Sequence, residues 1–175
     1  MSGFKPISPT AGGTTTLIPP SGWAQYNDTQ YTLANPFIVN QGVTTNLPNN
    51  GLSVITSQLP VGSSGLYDGS RVKADASGDA YAIRTNFKIK SSSQTGAFEL
   101  RMDISAAGDG SIIIFDRNTS LSKGSNTEQS YSTTNLIYTL ETFFANGGLI
   151  KFASLAGISS IYDISYVITK VHAAR

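Results

Sequence analysis

The stretch from Ala80 to Lys90, with the sequence AYAIRTNFKIK, decides the fold class. Apolar or β-branched residues alternate with small, polar or charged residues along its whole length. This two-residue period is typical of a β-strand that packs one face on a core and turns the other to water. The face predicted to be buried carries Tyr81, Ile83, Thr85, Phe87 and Ile89.

A second strand with the same alternation follows, from Phe98 to Ile104. Joined through Ser91–Ala97, the two strands would form an antiparallel hairpin with both apolar faces on the core. A register that matches those faces also brings opposite charges together across the strands, which favours it. The predicted pairs are Phe87 with Leu100, Lys88 with Glu99, and Arg84 with Asp103.

The rest of the chain from Trp23 onward shows short strands separated by turn signals such as Asp68-Gly69 and Asn146-Gly147-Gly148. Its composition disfavours a long helical bundle, because Leu, Ala, Glu and Lys are scarce whereas Ser, Thr, Gly and β-branched residues are plentiful. About eight to ten antiparallel strands in a chain of this length predict an all-β fold, namely a sandwich, jelly roll or barrel. Further strands are predicted at Ser111–Phe115, Ser130–Thr134, Leu149–Leu155 and Ile161–Val171.

One segment, Leu136–Phe144, is compatible with two structures. Its apolar residues fall at helical spacing, and Gly147 could end a helix. Its Tyr, Thr and Phe residues suit a strand, and Asn146-Gly147 before another apolar run is a hairpin signal. The all-β context favours a strand here.

The first 22 residues differ from the remainder and are predicted to form an extended N-terminal arm ahead of a jelly-roll domain at residues 23–175. This segment contains Pro6, Pro9, Pro19 and Pro20, which exclude a helix and suit a central strand poorly. A disordered tail is the alternative. An arm that becomes ordered on a partner surface would be anchored by Phe4, Ile7, Leu17 and Ile18.

Charge and cysteine content exclude several classes of function. The 12 basic and 11 acidic residues leave a net charge of +1, so no strong field favours nucleic acid or a membrane surface. The chain has no Cys, which excludes disulfides, thiol catalysis and Cys-ligated metal centres. No basic stretch followed by an apolar run precedes Thr16, and no apolar run approaches membrane-spanning length. Synthesis in a cytoplasm is therefore expected.

No pattern in the sequence supports catalysis, so we predict neither an enzyme nor a cofactor. His172 is the only imidazole and lies close to the C-terminus, where a catalytic base would be poorly held. No pair of carboxylates has the spacing of a glycosidase site. Asp75, Asp79 and Asp109 sit in Gly-containing loops where Asp is an ordinary turn residue. A loop calcium site built from them is left open, but no metal site is predicted.

Two short stretches, Leu66–Val72 (LYDGSRV) and Gly78–Arg84 (GDAYAIR), resemble the C1q/TNF-like jelly-roll head. In that fold a Tyr-Asp turn precedes a strand, a Gly-containing turn follows, and a Tyr begins the next long strand. Asn146-Gly147-Gly148 and the strand Ile161–Val171 are similar to its C-terminal half. The resemblance implies a homotrimer with the final strand near the three-fold axis. The residues it implies at the trimer interface are Tyr162, Ile164, Tyr166 and Ile168.

A Ser/Thr/Gly-rich chain with an N-terminal arm and no Cys is similar to the versions of this head found in tailed phages. The resemblance implies a virion structural protein, namely a trimeric decoration (cement) protein that binds the major capsid protein on the outer capsid surface and stabilises the head. The alternative is a fibre tip that recognises host glycan through loop tyrosines such as Tyr26, Tyr31 or Tyr67. The absence of a collagen-like or coiled-coil stalk favours decoration.

Overall fold

The computed structural model describes residues 21–174. The predicted arm anchors Phe4, Ile7, Leu17 and Ile18 lie outside these residues. Within residues 21–174 the chain forms ten strands and one short helix. They are β1 (Gly22–Asn27), β2 (Phe37–Val39), β3 (Thr44–Asn46), β4 (Ser53–Ile55), β5 (Asp79–Ser91), β6 (Ala97–Asp103), β7 (Ile113–Ser120), β8 (Gln129–Thr139), α1 (Glu141–Asn146), β9 (Leu149–Ala156) and β10 (Ser159–His172).

The strands build two antiparallel sheets that pack face to face as a jelly roll. One sheet has the order β4-β1-β10-β5-β8, with β2 also paired to β10, and the other has the order β3-β9-β6-β7. Strands β6 and β7 form a hairpin within the four-stranded sheet, and after β7 each successive strand lies in the sheet opposite to the one before it. The fold class predicted from the sequence is confirmed.

The core lies between the two sheets and is built from the inward faces of the long strands. The predicted inward face of β5 is confirmed, because all five of its residues are at most 2% exposed. Strand β6 contributes Phe98, Leu100 and Met102, which are fully buried. Aromatic rings join the layers, with Phe87 of β5 against Phe98 of β6 at 5.6 Å between centroids.

The predicted β5–β6 hairpin is wrong. Strand β5 lies between β10 and β8, whereas β6 lies between β7 and β9 in the opposite sheet. Phe87 therefore pairs with Tyr131 of β8, and Leu100 pairs with Arg117 and Phe152. The charged pairs of the predicted register do not form either. Lys88 contacts Glu128 and Asp163, Glu99 contacts Arg101, and Asp103 contacts Lys151.

The segment Leu136–Phe144 is partly strand and partly helix, the two structures that its sequence pattern allowed. Its first four residues complete β8, and α1 starts two residues later at Glu141. Phe143 turns into the core, while Phe144 is half exposed. Gly147 ends the helix with a φ of 72°, a backbone conformation that suits glycine. The preference for a strand is therefore correct only for the first part of this segment.

A β-bulge in β10 changes which of its residues face the core. Asp163 has a φ of 53°, and the pairing with β5 shifts between Tyr162 and Ser165. As a result Ile161 and Ile164 both lie in the core, although they are three residues apart. Tyr162 is displaced to the outer face, where its hydroxyl donates to Glu128. Tyr162 and Ile164, both expected at the trimer interface, therefore lie on opposite faces of the sheet.

Two further strand predictions are correct in place but not in extent. Strand β7 begins at Ile113 rather than Ser111 and continues past Phe115 to Ser120. Strand β8 begins one residue before the prediction and extends five residues beyond it, to Thr139. The predicted strands at Leu149–Leu155 and Ile161–Val171 are confirmed as β9 and β10.

Candidate functional site

The candidate site is the outer face of the six-stranded sheet, which is turned away from the core. Four strands align their outward residues across it in register, so that Gln25 pairs with Val167, Val167 with Arg84, and Arg84 with Thr134. A shallow depression of about 420 Å³ lies at its centre. It is lined by Trp23, Gln25, Ala82, Arg84, Thr134, Val167 and Thr169.

This face is polar but almost uncharged around the depression. Arg84 is the one charged residue among those that line it. In the next row Asn86 donates to the Ser165 hydroxyl at 3.1 Å and accepts from the Ser132 hydroxyl at 2.7 Å. These short side chains satisfy one another's hydrogen bonds. Removing water from this part of the surface against a second protein therefore costs little free energy.

Charged residues gather at one end of the face, beside the bulge. The Lys88 ammonium lies 3.1 Å from Asp163 and 3.7 Å from Glu128, and all three side chains are partly exposed. Burial, reinforced by the hydrogen bond to Glu128, raises the pKa of the Tyr162 phenol, so this hydroxyl stays protonated. Solvent screening makes such half-exposed pairs weak contributors to stability, and they suit the rim of an interface.

An apolar rim borders the opposite end of the same face. Leu136 and Tyr138 project outward from β8, the last strand of the sheet, and are 61% and 67% exposed. Leu140 and Phe144, before and within α1, extend this exposed apolar surface. Single exposed apolar residues are common on protein surfaces, whereas clusters of them at a sheet edge are less so, and this cluster distinguishes the β8 edge of the sheet.

The side chains predicted to form the trimer interface do not lie on this outer face, with one exception. Ile164, Tyr166 and Ile168 are at most 1% exposed and fill the core of their own sandwich. The Tyr166 hydroxyl donates to the Leu47 carbonyl oxygen at 2.8 Å. Of the four, only Tyr162 is on the outer face, and its ring is packed beneath Lys90. These three core side chains are therefore not available to a second chain.

The sequence carried a signal for the correct face of β10. In the sequence, apolar residues occur on both sides of this strand. In the structure Val167 and Val171 lie on the outer face, and Val167 lines the depression. Trp23 and Thr134 were not singled out, because neither belongs to a run whose alternation is strong enough to assign its face. Their position follows only from the strand order.

The loop tyrosines considered for glycan recognition are mostly buried. Tyr26 is 4% exposed and its hydroxyl accepts the Leu66 N–H, while the Tyr67 hydroxyl donates to the Asn49 carbonyl. Burial raises the pKa of both phenols. Tyr31 is partly exposed and packs edge-on against Phe37. Tyr26 and Tyr67 therefore serve the core and cannot stack on a sugar.

Asp109 and His172 occupy ordinary structural positions. Among residues 21–174 no three His, Asp or Glu side chains gather as a metal site would require. Asp109 accepts the Ser111 N–H, which is an ordinary turn role, and His172 is exposed at the end of β10. In the same range no helix has the length and hydropathy needed to cross a membrane.

Comparison with solved structures identifies the fold. The chain superposes on the Eiger TNF of S. frugiperda with a TM-score of 0.54 and 14% identity, covering 89% of this chain and 96% of that one. Murine APRIL gives a TM-score of 0.52 and 10% identity, with 86% and 99% coverage. The chain has the C1q/TNF-like jelly-roll fold. This confirms the part of the resemblance that concerns fold.

A third similar structure is the PRD1 vertex protein P5, with a TM-score of 0.48, 12% identity, and coverage of 89% of this chain and 74% of that one. No protein-family model matches the chain, and no curated protein matches its sequence.

Proposed function

We propose that this protein is a virion structural protein, a homotrimeric decoration protein bound to the outer surface of a capsid. The observation that carries the proposal is the outer face of the six-stranded sheet, a depression in which Arg84 is the one charged lining residue, with an exposed apolar rim at Leu136 and Tyr138. A depression and a projecting rim on one chain suit a head-to-tail contact, which closes into a ring when the rotation between neighbours allows it.

The trimer would place the rim of one subunit on the depression of the next. Trp23, Ala82 and Val167 offer apolar surface in the depression, and Leu136 and Tyr138 offer apolar side chains to fill it. The charged group around Lys88 would remain at the edge of this contact, where its exposed side chains keep their water. The prediction of a homotrimer came from the resemblance to C1q/TNF-like heads. The chain has that fold, which supports this arrangement.

Capsid attachment is assigned to the segment that precedes β1. Phe4, Ile7, Leu17 and Ile18 would anchor this arm on the major capsid protein. Three arms joined in one trimer bind far more tightly than one, because the second and third contacts form at a high effective concentration. A trimer that bridges neighbouring capsomers resists expansion of the head without any chemical step.

The first experiment measures the mass of the protein in solution, alone and with Val167→Arg. The native chain is expected to be a trimer, and the variant a monomer, because a second cation would stand opposite Arg84. Val61→Arg is the matched control, since Val61 is 90% exposed in the loop between β4 and β5, does not line the depression and should leave the trimer intact. A monomeric native chain contradicts the trimer.

The second experiment separates attachment from assembly. Deleting residues 2–20 leaves β1 complete, because β1 begins at Gly22, and should abolish co-sedimentation with capsids without changing the trimer mass. Capsid binding that survives this deletion contradicts the role of the arm. Binding to a glycan array in the absence of capsid binding would favour the fibre-tip alternative.

A further inference from the structure

A lysine between two carboxylates lies buried where the last strand meets the start of β5. The Lys170 ammonium is 2.8 Å from Asp79 Oδ2 and 3.1 Å from Asp75 Oδ2. Lys170 is 4% exposed and Asp79 is 1% exposed. The amine therefore touches two carboxyl groups in a space from which water is almost excluded.

The cluster also holds the donors that activate a carboxyl group. The Asp79 Oδ1 atom accepts the Ala174 N–H at 2.9 Å, and Oδ2 accepts the Ala76 N–H at 3.0 Å and the Tyr81 hydroxyl at 2.9 Å. Fixed donors around a carbonyl group draw electrons from its carbon and stabilise negative charge that develops on its oxygens. The Tyr81 hydroxyl also lies 3.3 Å from Asp75 Oδ2, so it connects the two acids.

The second carboxylate distinguishes this cluster from a simple buried ion pair. The other buried pair, Asp103 with Lys151, has one carboxylate and one ammonium at 3.4 Å. Here Asp75 is a second carboxylate with a side chain 23% exposed, which gives it access to water for proton exchange. Two carboxylates against one ammonium leave one negative charge uncompensated, and the partial exposure of Asp75 reduces what that charge costs.

We propose that Lys170 and Asp79 react with each other to form an amide, an intramolecular isopeptide bond, with Asp75 as the proton relay. The reactants are held in contact, and such positioning is equivalent to an effective concentration on the order of 10⁵ M or more. The product links the first residue of β5 to the last strand, β10.

The reaction balances without any co-reactant. Asp75 first carries a proton from Lys170 Nζ to Asp79 Oδ2, which gives a neutral amine facing a neutral carboxyl group. Nζ then adds to Asp79 Cγ, and negative charge develops on Oδ1, where the Ala174 N–H donates. Asp75 removes a proton from the nitrogen and returns it to Oδ2, the Cγ–Oδ2 bond breaks, and one water leaves.

Burial and hydrogen bonding act in opposite directions on the formation of the neutral amine and the neutral carboxyl group. Burial alone would lower the pKa of Lys170 and raise that of Asp79, which favours the neutral pair. The mutual hydrogen bonds outweigh burial, raising the pKa of Lys170 and lowering that of Asp79, so the charged pair is the resting form. The reaction therefore passes through the minor neutral form and is expected to be slow, completing only after folding has assembled the cluster.

The test is the intact mass of the full chain, measured under denaturing conditions after prolonged incubation in the folded state. We expect the chain to be lighter than its sequence by one water. After trypsin, residues 74–84 should be joined to the C-terminal peptide through a Lys170 that trypsin does not cleave. Fragmentation should place the bond on Asp79. An unmodified mass overturns the proposal, and so does a bond located on Asp75.

Three variants make the result specific. Lys170→Arg keeps the positive charge but cannot form the amide, and should have its full calculated mass. Asp75→Asn removes the relay, and should also have full mass while its circular dichroism remains that of the native fold. Lys151→Arg, at the buried pair with one carboxylate, should still lose water. Loss of water in Lys170→Arg or in Asp75→Asn contradicts the proposed step.

Discussion

The ring of Phe87 in one sheet lies against the ring of Phe98 in the other, with centroids 5.6 Å apart and planes at 67°. Phe98 also meets Tyr131 at 4.8 Å and stacks on Phe152 at 5.1 Å. This edge-to-face group joins strands of both layers, so it holds the sandwich closed.

Replacing Phe98 by Ala should therefore lower the free energy of unfolding by about 3–5 kcal/mol, through lost burial and the cavity left behind. Urea unfolding at one fixed protein concentration measures it, because an oligomer's stability depends on concentration. Val61→Ala, in an exposed loop, should change stability by less than about 0.5 kcal/mol. A loss for Phe98→Ala no larger than that of the control would contradict this role.

Alternation along β5 and β6 was sufficient to predict which apolar side chains face the core, but not which strands are neighbours. A two-residue period fixes the face of each side chain, whereas pairing depends on the path of the chain between strands. Charge complementarity predicted the wrong strand register. Lys88 forms ion pairs with Glu128 and Asp163, both distant in sequence, and not with Glu99. Long flexible side chains satisfy many registers.

The candidate site was predicted less well than the core for a local reason. The bulge at Asp163 shifts β10 by one residue, and a bulge leaves no regular signal in an alternating sequence. Without it, Tyr162 would share a face with Ile164, as the sequence suggested. The outer surface of the sheet also depends on strand order, which brings Trp23 of β1 into the same row as Thr169, Ala82 and Leu136.

The apolar rim on β8 gives a second test of assembly. Leu136→Asp should dissociate the proposed trimer. Leu136 is exposed in the single chain, so the monomer tolerates an aspartate there, whereas in the contact the charge of that aspartate would be buried. Leu52→Asp is the control, since Leu52 is 75% exposed beside β4, at the opposite edge of the same sheet. Sedimentation velocity distinguishes the species. Equal trimer content in both variants would show that the rim is not in the interface.

Asp103 predicts how stability responds to acid. Burial alone would raise its pKa, but hydrogen bonds from the Ser105 hydroxyl and N–H, from the Gly110 N–H and from Lys151 outweigh burial and lower it. A lowered folded-state pKa adds stability above the unfolded value of about 4, and this stability is lost as the pH falls through the folded value.

Asp103→Asn should consequently cost about 3 kcal/mol at neutral pH, because Lys151 is left without its carboxylate. The difference between the native chain and the variant should shrink steadily below pH about 4. Urea midpoints from pH 7 to pH 2.5 measure it, with the exposed Asp116→Asn on β7 as control. A difference that stays constant across this range would contradict the assignment.

The turn that follows α1 gives the last prediction. Gly147 has a φ of 72°, and a Cβ placed there would lie 2.7 Å from the Val72 carbonyl oxygen. That oxygen accepts the Gly148 N–H at 2.9 Å, and the Val72 N–H donates to the Gly148 oxygen at 2.8 Å. Gly147→Ala should therefore cost about 3 kcal/mol, because it adds a backbone collision to the unfavourable φ.

Gly62→Ala separates the two effects. Gly62 has a similar φ of 83°, but nothing lies within 4 Å of the position where a Cβ would be. It should cost only about 1 kcal/mol, the strain of a left-handed conformation for an ordinary residue. Thermal unfolding of both variants gives the comparison. If the two lose the same stability, the contact between residue 147 and Val72 does not constrain the turn, and the φ alone accounts for the glycine.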